Sequence, residues 1–221
     1  MDKPILVLNF KTYMEGTGNG GLELAKIAER VAKETGKEVI VAVQVEDIRM
    51  ISEAVSIPVF AEHVDTDTFG PHTGSVIPEG VKEAGAAGTL INHAEKEISD
   101  DIVRDTVQRC KELGLISIVC ANTKEDAKRL SLFKPDYVAV EPPELIGGTI
   151  SVSDAKPEVV KDTVDLVGRA SGVPVLCGAG INSKNDVLKS LELGAKGVLL
   201  ASSVVKSDNP YEKLIELLSG M

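Results

Sequence analysis

Three side chains in this sequence have the types and settings that acid–base chemistry needs. Glu141 ends the apolar run VAVE, and His93 follows the run TLIN. Lys11 stands two residues after Asn9 in NFKTY, so the two side chains would share a face if strand geometry persists there. A carboxylate can accept a proton, and a neutral imidazole can donate a hydrogen bond to a carbonyl. Ordinary alternatives are a strand cap, a structural histidine and a solvated surface lysine.

The segment after Glu141 combines a stiff beginning with a free end. Pro142 and Pro143 favour an extended conformation at Glu141, whereas Gly147 and Gly148 leave the far end free to move. A carboxylate at the rigid start of a closing lid would lose its water on closure, and this loss raises its basicity. The sequence therefore favours Glu141 as a base beside a lid.

Two positions place a functional group next to an expected helix N-terminus. A helix is expected to begin just after His93, at Ala94 to Lys96, and its positive end would favour the neutral ring. Small residues fill CGAGI at 177–181 and LLASSVV at 199–205, and a short helix is expected to begin near Ser202. Backbone N–H groups there could bind a phosphate. Because the formal net charge is -10, the attraction must be local.

The elements that must position these groups alternate regularly. Between apolar runs lie segments with the i, i+3, i+4 spacing of amphipathic helices, which predicts a parallel sheet covered by helices. The eight apolar runs that we expect to be strands are 5–8, 39–43, 59–61, 89–91, 116–119, 137–140, 173–176 and 198–200. Eight strands in 221 residues predict an α/β fold, a (β/α)8 TIM barrel with shortened helices that spans 1–221 as a single domain. The candidate groups follow strands, so they should share one rim of that barrel.

Composition excludes several other classes. Aromatic residues make up only 3% and the charge is acidic, so we expect no nucleic-acid partner. No apolar run reaches the roughly 18 to 20 residues of a membrane span, and no signal peptide is apparent, so we expect a cytoplasmic protein without membrane contact. Cys110, Cys120 and Cys177 are an odd number without close pairing, and no metal-ligand cluster is visible. No G-x-G-x-x-G follows the first run, which weakens a dinucleotide-binding interpretation.

The motifs together resemble a known family. The segments NFKTY, INHAEK, AVEPPELIGGT, CGAGI and GVLLAS occur in the order and spacing of triosephosphate isomerase, in its short archaeal form. The resemblance covers essentially the whole chain. It implies a cofactor-independent isomerase that interconverts dihydroxyacetone phosphate and D-glyceraldehyde 3-phosphate through an enediolate, in glycolysis and gluconeogenesis.

The resemblance also implies a role for each candidate residue. Glu141 matches the catalytic base, and His93 matches the neutral electrophile. Lys11 matches the cation that stabilises the enediolate, with Asn9 as its amide neighbour and Glu95 as an acidic partner. The positions that match substrate-binding residues are Asn9 and Lys11, Ile146 and Gly147 in the lid, Gly180, Ala201 and Ser202 around the phosphate, with Leu199 as an apolar wall.

The sequence departs from the family pattern at two places. Ala94 stands where the family usually has serine, and the lid ends in Gly147-Gly148-Thr149 instead of Gly-Thr-Gly. The family is oligomeric, with the loop after the third strand reaching into a neighbouring subunit. The matching segment here is 69–74, with Thr73 as the expected contact, and we expect a homotetramer rather than a homodimer.

Two rival functions remain open at the level of the sequence. A Schiff-base aldolase would use a lysine of the barrel, such as Lys11, as its nucleophile. A barrel that only binds a phosphate ligand would need no base. Borohydride trapping of a substrate adduct supports the first, and binding without proton exchange supports the second.

Overall fold

Eight parallel strands form a closed barrel in the computed structural model, which describes residues 3–141 and 157–221. Each strand pairs with the next along the chain, and the eighth pairs with the first. The predicted (β/α)8 barrel is confirmed. The strands are β1 (Ile5–Asn9), β2 (Glu38–Val43), β3 (Val59–Ala61), β4 (Gly88–Ile91), β5 (Ile116–Ala121), β6 (Tyr137–Val140), β7 (Val175–Cys177) and β8 (Gly197–Leu200).

Strand β7 begins later than the apolar pattern predicts. The expected strand covered 173–176, but the observed one starts at Val175. Pro174 has no N–H to donate and restricts the residue before it, so regular pairing starts only after it. The Pro174 carbonyl still accepts a hydrogen bond from the Val138 N–H at 3.0 Å.

Short helices cover the outside of the barrel. Those found in residues 3–141 and 157–221 are α1 (Asn19–Thr35), α2 (Ile48–Ser52), α3 (Pro78–Glu83), α4 (Asp100–Leu113), α5 (Lys124–Ser131), α6 (Pro157–Ala170), α7 (Lys184–Glu192), α8 (Ser202–Val205) and α9 (Pro210–Leu218). Helices α2, α3 and α8 have only five, six and four residues, as expected for a barrel of this length. None of the helices in the described part is both long and apolar enough to cross a bilayer.

Two glycines end the longest described helices of the first half of the chain. Gly36 follows α1 with φ of 67°, and its N–H donates to the Ala32 carbonyl at 2.9 Å. Gly114 follows α4 with φ of 69°. Glycine adopts this left-handed conformation at little steric cost, which lets the chain turn directly into the next strand.

Alternate residues of each strand are buried in two different cores. One set fills the barrel, and the other packs against the helices, so both faces of the sheet are apolar. The side chains inside the barrel are Ile5, Val7, Ile40, Ala42, Phe60, Leu90, Ile118, Cys120, Tyr137, Ala139, Leu176 and Leu199. This filling leaves the carboxyl-terminal mouth of the barrel as the place where polar groups meet.

Candidate active site

Residues from five strand ends line one cavity at the mouth of the barrel. The charged and polar side is formed after β1, β4 and β6, and the other side is formed by the turns after β7 and β8. Among the residues that line this cavity are Lys11, His93, Glu141, Gly180, Ala201 and Ser202. The structure therefore brings together candidate groups that are far apart in the sequence.

The Glu141 carboxyl faces the imidazole of His93 inside this cavity. The distance from His93 Nε2 to Glu141 Oε2 is 3.4 Å, and the two residues are 8% and 1% exposed. Glu141 Oε2 is buried without a hydrogen-bond partner among the described residues. Burial raises the pKa of Glu141 to about 8, although the nearby Lys11 ammonium opposes the shift. The ionised carboxyl is therefore a strong proton acceptor. Its Oε2 is free to accept a proton, because no described group donates a hydrogen bond to it.

A backbone contact holds the His93 ring in one tautomer. The N–H of Glu95 donates to His93 Nδ1 at 3.1 Å, so Nδ1 carries no proton and the neutral ring carries its N–H at Nε2. Burial, and then the charge of Lys11, lower the pKa of His93. Both effects favour a neutral imidazole that donates from Nε2.

The prediction of a helix directly after His93 is wrong. Residues 94–95 form a turn, in which the Lys96 N–H donates to the His93 carbonyl at 2.7 Å, and α4 begins only at Asp100. Asn92 explains the delay, because its φ is 62° and its Oδ1 accepts from the Ile98 N–H at 2.9 Å. This contact closes a loop before the helix starts. The Glu95 amide acts on His93 directly, in place of the expected helix end.

Lys11 reaches the cavity through a left-handed turn, not through strand alternation. Strand β1 ends at Asn9, and Lys11 has φ of 51°, an uncommon conformation for a residue with a side chain. Asn9 Oδ1 accepts from the Lys11 N–H at 3.0 Å, and Lys11 Nζ donates to Glu95 Oε1 at 2.7 Å. The expected strand geometry therefore fails, but both side chains still line one cleft.

The opposite wall of the cavity consists mainly of backbone and small side chains from the turns after β7 and β8. Gly180 has φ of 71°, and α8 begins at Ser202 as predicted. The Ser203 hydroxyl donates to the Ile181 carbonyl at 3.0 Å, which ties the turns after β7 and β8 together. Leu199, expected as an apolar wall, lines the cavity and is 2% exposed.

Some predicted positions fall elsewhere. The lid residues Ile146 and Gly147 lie outside the described residues, together with the rest of 142–156. Thr73 lies on an exposed stretch of the loop after β3 and not in the cavity.

Sequence reasoning missed the role of Gly178 and the presence of Tyr13. A Cβ on Gly178 would lie 2.4 Å from Glu141 Cγ and 3.0 Å from the Val140 carbonyl oxygen, so only glycine leaves room for the carboxyl. Tyr13 lines the cavity, with Lys206 Nζ 5.1 Å from its ring centroid. The motifs CGAGI and NFKTY contain both residues, but neither motif shows these contacts.

Across 3–141 and 157–221, no His, Cys, Asp and Glu side chains are grouped to hold a metal ion.

Comparison with known proteins agrees with this geometry. Residues 4–218 match the family model of triosephosphate isomerase. The triosephosphate isomerase of Methanothermus fervidus is 51% identical, and the alignment covers 100% of both chains. The chain belongs to the triosephosphate isomerase family. The enzyme of that name from Methanocaldococcus jannaschii is also 51% identical, over 97% of this chain and 98% of the relative.

A solved structure shows the same fold at lower identity. The crystal structure of triosephosphate isomerase from Bartonella henselae superposes with a TM-score of 0.75 at 21% identity, and the match covers 99% of this chain and 97% of the other. Membership of the triosephosphate isomerase family confirms the predicted resemblance and the predicted class of isomerase. It also decides against the aldolase and the non-catalytic barrel.

Proposed function

We propose that the chain interconverts dihydroxyacetone phosphate and D-glyceraldehyde 3-phosphate by proton transfer through an enediolate. The observation that carries this proposal is the 3.4 Å approach of His93 Nε2 to Glu141 Oε2, in a cavity that Lys11 also lines. A base, a neutral hydrogen-bond donor and a cation thus surround the space where a carbonyl and its neighbouring carbon would bind.

Glu141 is the proposed base of this reaction. Its carboxylate would take a proton from the carbon next to the substrate carbonyl and return it to the adjacent carbon, so it ends each cycle ionised. The raised pKa, about 8, makes the carboxylate a better acceptor than an exposed one. Burial of Glu141 against Gly178 holds the carboxyl at one place, and proton transfer is sensitive to such placement.

His93 and Lys11 are proposed to stabilise the charge that develops on oxygen. The Nε2–H of a neutral His93 would donate to the substrate carbonyl and help move a proton between the two oxygens. The triosephosphate isomerase family is itself the standard example of such a neutral histidine. Lys11 would attract the anionic substrate and the enediolate, while Asn9 and Glu95 hold its turn and its ammonium through their hydrogen bonds.

The wall made by the turns after β7 and β8 is proposed to bind the phosphate. Backbone N–H groups at Gly180, Ala201 and Ser202 are the expected donors, because the first N–H groups of a helix have no partner within it. We infer that Ile146 and Gly147 close over the substrate as a lid. Exclusion of water would strengthen the charge interactions and suppress loss of phosphate from the enediolate.

A coupled assay with glyceraldehyde 3-phosphate tests the proposed function. We expect isomerase activity that falls strongly in Glu141→Gln and His93→Gln variants that remain folded. In deuterated water, deuterium should enter the substrate carbon next to the carbonyl. Turnover without any exchange of that hydrogen, or borohydride trapping of substrate on Lys11, would contradict the enediolate mechanism.

We also propose that the chain forms a homotetramer in the cytoplasm. Loop 69–74 would insert Thr73 into the cleft of a neighbouring subunit. Phe69 in this loop is 76% exposed and Met14 after β1 is 84% exposed, so two large apolar side chains are available for contact with a partner subunit. The three cysteines are unpaired and buried, as is usual in a reducing compartment. Sedimentation that finds a stable, active monomer would contradict the assembly.

A further inference from the structure

A larger cleft lies beside the catalytic cavity at the mouth of the barrel. The catalytic cavity has a volume of about 50 Å³, whereas the cleft, formed after β1, β3 and β4, has a volume of about 410 Å³. Three described residues line both spaces and therefore stand between them, namely Lys11, Tyr13 and His93. Lys11 and His93 have roles in the proposed reaction, but Tyr13 has none, so its place in this partition needs an explanation.

Hydrogen bonds from the neighbouring strand end fix the loop that carries Tyr13. The Tyr13 carbonyl accepts from the Thr17 hydroxyl at 2.8 Å, and Gln44 Nε2, just after β2, donates to the same hydroxyl oxygen at 2.8 Å. The buried Asp47 accepts from the Gly18 N–H at 2.8 Å. A loop tied in this way to a strand end presents its side chains at defined positions.

A cation holds the half-buried ring of Tyr13 from the other side of the mouth. Lys206 Nζ lies 5.1 Å from the ring centroid, and Lys206 directly follows α8, in the wall proposed to bind the phosphate. An ammonium within about 6 Å of an aromatic ring centroid is attracted by the ring. The ring is therefore anchored between the loop after β1 and the turn after β8.

We propose that Tyr13 is a specificity-determining residue, whose ring closes the cavity toward the cleft and limits the substrate to the length of a triose phosphate. The inference rests on the proposed function, which places the substrate carbonyl near His93 and Glu141 and the phosphate at the opposite wall. A substrate with one more carbon between these fixed ends must bow outward. The ring of Tyr13 blocks the side toward the cleft, so the longer chain does not fit there.

The experiment compares Tyr13→Ala with the wild type, using D-erythrose 4-phosphate, which is one carbon longer than the triose phosphate. The two measured constants are KM for glyceraldehyde 3-phosphate and the inhibition constant of D-erythrose 4-phosphate in the same assay. Removal of the ring leaves its own volume free beside the cavity, whether or not a loop of a neighbouring subunit fills the cleft. The ratio of the inhibition constant to KM should fall about 10-fold, because room for one carbon is worth about that factor.

Control variants separate the ring from the hydroxyl and from general effects. Tyr13→Phe keeps the ring, so its ratio should lie within about 2-fold of wild type. Tyr211→Ala is a matched control and should keep the wild-type ratio. The Tyr211 ring is also half-buried and lies 4.5 Å from the Arg30 guanidinium carbon, but it belongs to α9, outside the cavity. Thermal unfolding reports whether Tyr13→Ala is folded, and Tyr13→Leu, with an expected fall of about 3-fold, replaces it if not.

The ratio of the two constants distinguishes specificity from a structural role. A purely structural role of Tyr13 raises both constants by the same factor, so an unchanged ratio in the folded variant would overturn the inference. An equal fall of the ratio in Tyr13→Phe would also overturn it, because the hydroxyl and not the ring would then set the limit. An inactive wild type would overturn the proposed function instead, whereas an active wild type with an unchanged ratio in Tyr13→Ala would leave that function intact.

Discussion

The two walls of the active-site cavity present different kinds of groups, functional side chains on one side and mainly backbone and small residues on the other. The wall formed after β1, β4 and β6 carries Lys11, His93 and Glu141, whose side chains are largely buried. The wall formed after β7 and β8 offers glycine, alanine and serine, with a glycine at positive φ and a short helix. Proton transfer needs specific functional groups, whereas backbone N–H groups at any small residue can bind a phosphate.

This difference means that the first wall depends on side-chain identity and the second on backbone position. The two walls meet at Gly178, which belongs to the turn after β7 but leaves the space that the Glu141 side chain occupies. Substitutions in each wall should therefore change different kinetic constants, except at Gly178.

The largest effect is expected from Glu141→Asp. The shorter side chain withdraws the carboxylate by about one methylene, and a displacement of that size can cost about 100-fold in kcat. KM should change by less than about 3-fold, because substrate binding does not use this carboxylate. Steady-state kinetics in both directions measure both constants. A variant with unchanged kcat would remove Glu141 from the mechanism.

The same carboxyl should reduce stability at high pH. The folded pKa of Glu141 is raised from 4.5 to about 8, so the folded state binds the proton more tightly, and stability falls as pH rises through this window. Glu141→Gln should therefore be about 4 kcal/mol more stable than wild type at pH 8, and less than about 1 kcal/mol more stable at pH 5. Urea unfolding at equal protein concentration gives both differences. An equal difference at the two pH values would contradict the raised pKa.

Gly178→Ala tests where the two walls meet. The new Cβ would lie 2.4 Å from Glu141 Cγ, so the carboxyl must move, and we expect kcat to fall about 10-fold or more. Gly168→Ala in α6 is a matched control, since its Cβ would meet no atom within 4 Å. The control should keep wild-type kcat. Equal kcat values for the two variants would show that the position of the Glu141 carboxyl does not depend on the absence of a side chain at Gly178.

The smallest effects are expected in the phosphate wall. Ser203→Ala removes the 3.0 Å hydrogen bond to the Ile181 carbonyl, which holds the two turns together, and should raise KM about 5-fold. Ser202→Ala keeps the backbone N–H and should change KM by less than about 2-fold. A larger effect for Ser202→Ala than for Ser203→Ala would mean that the hydroxyl, not the backbone, binds the substrate.

Much of this architecture could be predicted because its causes are local. Apolar runs that are buried on both faces and alternate with amphipathic segments determine parallel strands under helices, and all eight strands were predicted this way. The motifs NFKTY, INHAEK and CGAGI follow such runs, so the rule for strand ends places them at one mouth. The roles of the site residues stay predictions that kinetics must test.

Other features were not visible in the sequence pattern. The turn of Lys11 and the tautomer of His93 depend on hydrogen bonds to residues only two positions away, whereas the space at Gly178 depends on a tertiary contact with Glu141. The burial that raises the pKa of Glu141 is a property of the closed barrel. The sequence by itself determined which groups reach the mouth, because the apolar periodicity sets where each strand ends and these groups follow the strand ends. Their charge and orientation arise only when separate strands exclude water around them.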